Sequence, residues 1–137
     1  MCLQLSNTED SKVAPETETV GTLTPDGRLI LTFSESEWKP MMIQGKRQPG
    51  FWIIPIVDDE TGKWTSYWMR LDAGARSLLH THTSTELLLI MNGVYTDQDG
   101  TDITAHQVVT YPAGTSHWSH SREGCTVLVV TNSESEL

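Results

Sequence analysis

Residues 74–93 read Gly-Ala-Arg-Ser-Leu-Leu-His-Thr-His-Thr-Ser-Thr-Glu-Leu-Leu-Leu-Ile-Met-Asn-Gly. Two histidines, His80 and His82, stand two residues apart, and a carboxylate, Glu86, opens an apolar run. On a helix, residues two apart point to nearly opposite sides; on a strand they share a face about 6.6 Å apart, close enough for both imidazoles to meet one ion. The pair therefore predicts a strand-borne chelate. Glu86 faces the desolvation cost of a charge at the head of Leu87-Leu88-Leu89-Ile90-Met91, and a cation is the simplest way to offset it.

Outward from this stretch, β-branched and aromatic runs recur at short intervals with Gly or Pro between them, and helical periodicity is nearly absent. The predicted strands are 29–33, 51–57, 65–71, 77–81, 86–91, 94–96, 108–111 and 125–131. Turn chemistry separates them at Asp26-Gly27, Thr61-Gly62, Asp72-Ala73-Gly74, Asn92-Gly93, Asp99-Gly100 and Pro112-Ala113-Gly114. Trp38 and Pro40 fall in a connector, the indole packing against a sheet edge. About eight strands in 137 residues predict one all-β domain, a sandwich or a barrel. Residues 21–131 form it. The polar, acidic residues 1–20 are expected to be a mostly disordered lead, and 132–137 a flexible tail.

Nine Lys+Arg against eighteen Asp+Glu give a net charge of −9, the wrong sign for a nucleic-acid backbone or an anionic lipid surface. The two ends carry −5 of it, so the domain itself is mildly acidic. The apolar run 51–57 is too short for a membrane span and contains Pro55. No basic and then apolar leader follows Met1, so the expected compartment is the cytoplasm. Cys2 and Cys125 are too few for a disulfide framework, and Cys125, heading a strand, is expected to be a buried reduced thiol.

All five histidines lie between 80 and 120. His80, His82 and Glu86 are candidate ligands by strand parity and buried charge; His117 joins them only if the fold brings it across. Three neutral imidazoles and one carboxylate would leave a dication about one positive charge in excess and, in octahedral geometry, about two positions open for substrate or oxygen.

These residues resemble the cupin superfamily, and within it the ChrR-like cupins. The first cupin motif is a glycine, five residues, His, one, His, three, Glu, six and a glycine. Gly74, His80, His82, Glu86 and Gly93 fill every position. The second is met by Pro112, Gly114 and His117, while His106 stands where a glycine is expected and Ser121 where an asparagine is. Neither replaced residue is a ligand, and the glycine would serve backbone geometry alone. The likeness covers roughly residues 38–131. It implies a single-domain cupin jelly-roll β-barrel, a metal held by His80, His82, Glu86 and His117 near one mouth, and a homodimer.

Strand parity places Leu88 and Ile90 on the face of Glu86, and Tyr67 and Met69 on the facing strand, as the substrate-binding wall of an apolar pocket; the alternative is that they fill the barrel solidly. His106 and His120 are read as structural or solvated, Trp118 as rim or dimer packing, and Arg70 and Arg76 as solvated surface. The resemblance to 2,4'-dihydroxyacetophenone dioxygenase-type small cupins implies a non-haem iron dioxygenase that cleaves a carbon–carbon bond of a small keto or diketone substrate. Fe2+ is favoured for that activity, with Zn2+ or Ni2+ compatible with the same ligands. One alternative is a zinc- or iron-binding sensor or structural module without catalysis; the other is a metal-dependent isomerase or lyase.

Overall fold

The computed structural model describes residues 21–43, 45–58 and 64–132. The acidic lead, the tail from residue 133, Cys2 and the Thr61-Gly62 turn lie outside the described residues. Twelve strands follow in order: β1 Gly21–Leu23, β2 Leu29–Leu31, β3 Lys39–Ile43, β4 Lys46–Asp58, β5 Thr65–Leu71, β6 His80–Thr81, β7 Glu86–Asp97, β8 Asp102–Thr104, β9 Val108–Tyr111, β10 Ser116–His117, β11 Ser119–His120 and β12 Cys125–Thr131. One 3-10 turn, Glu35–Glu37, interrupts them. Among the described residues no helix is long and apolar enough to cross a membrane.

The strands run antiparallel in a jelly-roll. The main sheet is ordered β11-β7-β12-β5-β4-β3, with β8 and β9 also on β7. Alternation along β5 and β12 buries one face, where Tyr67, Met69 and Leu71 meet Val127 and Val129. Phe51, Ile53, Leu88, Ile90, Tyr95 and Ile103 complete the core.

Two differences from the sequence reading shape the molecule. Residues 86–97 form one strand, without a hairpin at Asn92-Gly93. Opposite β12, the register passes from Thr126↔Asn92 to Val127↔Ile90, so Met91 is an unpaired bulge residue. Gly93, at φ 81°, completes the bend: a Cβ there would lie 2.1 Å from the Gly124 carbonyl oxygen. The bend lets the first half of β7 pair with β9 and β12 and the second half with β8 and β11. An Asn-Gly pair thus bends a strand, because a partner strand passes too close for a reversal.

The expected connector at 39–43 is β3, and β4 begins five residues earlier than the apolar run. Pro40 is tolerated because β3 is the edge strand of the sheet. Pro55 sits beside a register shift in β4 and beyond Ile53, the last residue that β3 pairs. Residues 77–79 are not strand: the expected 77–81 shrinks to His80–Thr81. Short β1, β8, β10 and β11 went unread, since two or three residues show no periodicity.

Candidate metal centre

The site is assembled by a two-strand patch outside the main sheet. In β6 and β10, His80 lies directly opposite His117 and Thr81 opposite Ser116. The ladder continues past the strand ends, with the His82 N–H donating to the Thr115 carbonyl and the Gly114 N–H to that of His82, at 2.8 and 2.7 Å. A chain separation of 35 residues is thereby closed. The rings of His80 and His117 stand 4.7 Å apart, those of His82 and His117 4.7 Å, and those of His80 and His82 5.2 Å.

Each imidazole is held from behind through Nδ1. His80 Nδ1 meets the Leu78 carbonyl at 2.8 Å, which can only accept. His82 Nδ1 meets Thr115 Oγ1 at 3.1 Å; that hydroxyl spends its proton on the Pro112 carbonyl, 2.7 Å away, so it too accepts. His117 Nδ1 donates to Asp97 Oδ1 at 2.8 Å. All three rings therefore carry the proton on Nδ1 and leave the Nε2 lone pair free. One ligand atom from each of the three lies within 4.8 Å of those of the other two.

Nε2 of His82 and of His117 is buried without a hydrogen-bond partner, on residues only 4% and 5% exposed. Glu86 puts Oε1 3.1 Å from His82 Nε2. Oriented, orphaned lone pairs beside a carboxylate are a costly arrangement for apolar surroundings unless a cation occupies the centre, so the donor set fits a divalent metal. Burial also pulls His80 below the ordinary imidazole value, only partly offset by its bond to the Leu78 carbonyl; a neutral ring is the form that ligates.

A cavity of about 620 Å³ adjoins the centre. His80 and Glu86 border it, as do Tyr67, Met69 and Leu88, which parity had placed there. Ile90 does not. It is 0% exposed within the core and is absent from the cavity lining, where parity alone had placed it. A cavity and a packed core are thus both present, and share Tyr67, Met69 and Leu88. Phe51, Ile43 and Met41 add apolar wall, and Gln48, Tyr95 and Lys46 add polar groups; none of these was singled out in the sequence.

The two departures from the second motif are structural. His106 adopts φ 74° in the β8–β9 turn, the conformation a glycine would supply. Ser121 is fully buried and bridges two segments, donating to the Val94 carbonyl at 2.5 Å and accepting from the Gly124 N–H at 2.9 Å. His120 packs on Trp118, over which the Arg76 guanidinium lies at 3.9 Å. Arg70 pairs with Glu35 at 2.7 Å and stacks on Trp38 and Trp52. None of them borders the cavity. Cys125 is free and buried, and burial pushes its thiol up to about 11. Asp97, Tyr111 and Thr115 behind the histidines were missed as functional residues; Asp97 offered one signal, an acid sharing the inward parity of Tyr95 at a strand end.

A jelly-roll barrel with three converging imidazoles at the mouth of an apolar cavity defines a cupin with a possible three-histidine metal site. The chain belongs to the family described as the ChrR cupin-like domain, which matches residues 26–134. Comparison with curated proteins finds no match. Among solved structures, it is similar to acetylacetone dioxygenase from Acinetobacter johnsonii (11% identity, TM-score 0.65, covering 74% of this chain and 71% of that one). A second is a protein assigned as ethanolamine utilization protein Q of Salmonella typhimurium (16%, TM-score 0.66, 84% and 94%). A third is an RmlC-like cupin from Shewanella frigidimarina (16%, TM-score 0.57, 73% and 87%). At these identities the likeness establishes the fold.

Proposed function

We propose that the protein is a metal-dependent dioxygenase of the non-haem iron type, cleaving a carbon–carbon bond of a small keto or diketone compound. One observation carries this reading: the imidazoles of His80, His82 and His117 converge beside a largely apolar cavity, with the Glu86 carboxylate 3.1 Å from His82 Nε2. His80, His82, His117 and Glu86 would hold the ion at the edge of the cavity, which His80 and Glu86 border. A bound divalent ion supplies Lewis acidity toward a chelating pair of oxygens and, as iron, the redox chemistry that activates dioxygen.

The remaining work falls to the chain. Tyr67, Met69, Leu88 and Phe51 form a wall that takes the substrate's carbon skeleton and excludes water. The Nδ1 partners hold the ligands so that they need no reorientation when the ion binds. In the net reaction the O=O bond and one carbon–carbon bond break, and each fragment gains one oxygen atom. The dioxygenase neighbour is consistent with this reading, through fold alone. A homodimer is part of the proposal, supported by the β1–β2 hairpin. It forms a two-stranded sheet of its own and exposes Leu23, Leu29 and Ile30, whereas lone hairpins are marginal in water.

The test is elemental analysis of protein purified without added metal, followed by oxygen uptake with a panel of β-diketones and hydroxyaryl ketones. Iron with substrate-dependent oxygen consumption supports the proposal. Stoichiometric zinc with no oxygen consumed in the iron-reconstituted protein overturns it in favour of a sensor or structural module.

A further inference from the structure

Of the three histidines, only His117 is backed by a carboxylate, and that carboxylate is itself held on both oxygens. Asp97 Oδ1 accepts from His117 Nδ1 at 2.8 Å and from the Gln98 N–H at 2.9 Å. Asp97 Oδ2 accepts from Tyr111 Oη, also at 2.8 Å. The Tyr111 ring lies 4.3 Å from that of His117 and stacks on that of His82 at 5.0 Å, 21° from parallel. Tyr111 in turn sits opposite Glu86 in the β7–β9 pairing. One side chain thus touches two imidazoles by its face and fixes the third group behind them by its hydroxyl.

We infer that Asp97 and Tyr111 form a positioning dyad for the metal centre, in which Asp97 sets the tautomer and strengthens the donor power of His117, and Tyr111 fixes Asp97. A carboxylate behind a ligating imidazole shares its Nδ1 proton and raises the electron density at Nε2. It also adds a second negative charge beside Glu86, so that with two carboxylates and neutral imidazoles a dication leaves the centre with no formal excess charge, which suits a buried site. Neither residue belongs to the two sequence motifs. Tyr111 and Asp97 come together because β7 bends at Gly93, so that its far end reaches β11 and the segment that carries His117. The dyad rests on the metal reading of the same site.

The test uses the full chain, metal-free and with Zn2+ or Co2+ alone. In the metal-free protein, ring-nitrogen NMR is expected to show His117 protonated at Nδ1, with a downfield proton that moves upfield in Asp97→Asn. Competition against a chelator is expected to show Zn2+ bound about 10–100-fold more weakly by Asp97→Asn. Tyr111→Phe keeps the ring stacking and loses the hydroxyl. It should weaken binding by a smaller factor, and add nothing once Asp97 is already Asn. The Co2+ absorption bands should shift in Asp97→Asn, which a purely structural role would not produce if the metal-free melting temperature is unchanged. Should Asp97→Asn not fold, Tyr111→Phe and the wild-type tautomer decide. His117 protonated at Nε2, or both variants binding within twofold of wild type, overturns the dyad. A wild-type chain that takes up no metal sinks the proposed function and the donor role together, while the NMR signature still reads whether Asp97 sets the tautomer.

Discussion

Glu86 heads β7 ahead of the apolar run Leu87–Met91, and its carboxylate lies 3.1 Å from an imidazole nitrogen with no other partner. Glu86→Gln and His117→Ala are each expected to lower bound metal at least about tenfold, since each removes a donor from a buried site. Elemental analysis after dialysis against a chelator checks this; a full equivalent retained by both variants contradicts the ligand set. His80 gives a pH dependence whose sign follows from its burial. Its folded-state value lies below the ordinary 6.5, so the unfolded chain binds a proton more readily and stability falls as pH drops through about 6.5. Denaturation midpoints of the metal-free protein between pH 8 and 5 should show that loss, and His80→Ala should flatten it. His106, exposed and at φ 74°, holds a backbone conformation that costs a side-chain-bearing residue roughly 1–2 kcal/mol. His106→Gly recovers part of this, and a gain of about 0.5–1 kcal/mol is expected in chemical denaturation. A loss would show that the imidazole has a role at the turn.

At the scale of elements, β7 decides the architecture. Its Asn-Gly pair has the composition of a hairpin turn, yet the chain continues through it as one bent strand, because pairing with β12 before the bend and β8 after it is worth more than a local reversal. Gly93→Ala should therefore destabilise the protein by about 2–4 kcal/mol. It combines left-handed backbone strain with a Cβ driven against the Gly124 carbonyl and Cys125. The denaturant midpoint checks it, and an unchanged midpoint would mean that β7 does not bend there. Strand identity was legible where runs were long: β5 and β12 match the sequence reading residue for residue. It was illegible where a strand has two or three residues held by a partner distant in the chain, as in β6 and β10. A two-residue pairing leaves no periodic trace, and yet these two strands carry the site.

For the whole molecule, the exposed apolar side chains of the β1–β2 hairpin predict association. Light scattering should give a homodimer mass, and replacing Ile30 and Leu29 by Glu should shift it toward the monomer; a wild-type monomer at micromolar concentration would contradict the proposal.

The residues alone determined that the chain is one all-β domain, that His80 and His82 share a strand face, and that Glu86, Leu88, Tyr67 and Met69 look inward. Alternation and charge burial are local properties of the chain, readable without coordinates. Only the tertiary structure decided that His117 stands opposite His80, that Nδ1 of each of the three converging histidines has an acceptor behind it, and that Ile90 is packed in the core without bordering the cavity. Those facts depend on strands far apart in sequence meeting at a particular register and depth, and nothing within one strand specifies where its partner will lie.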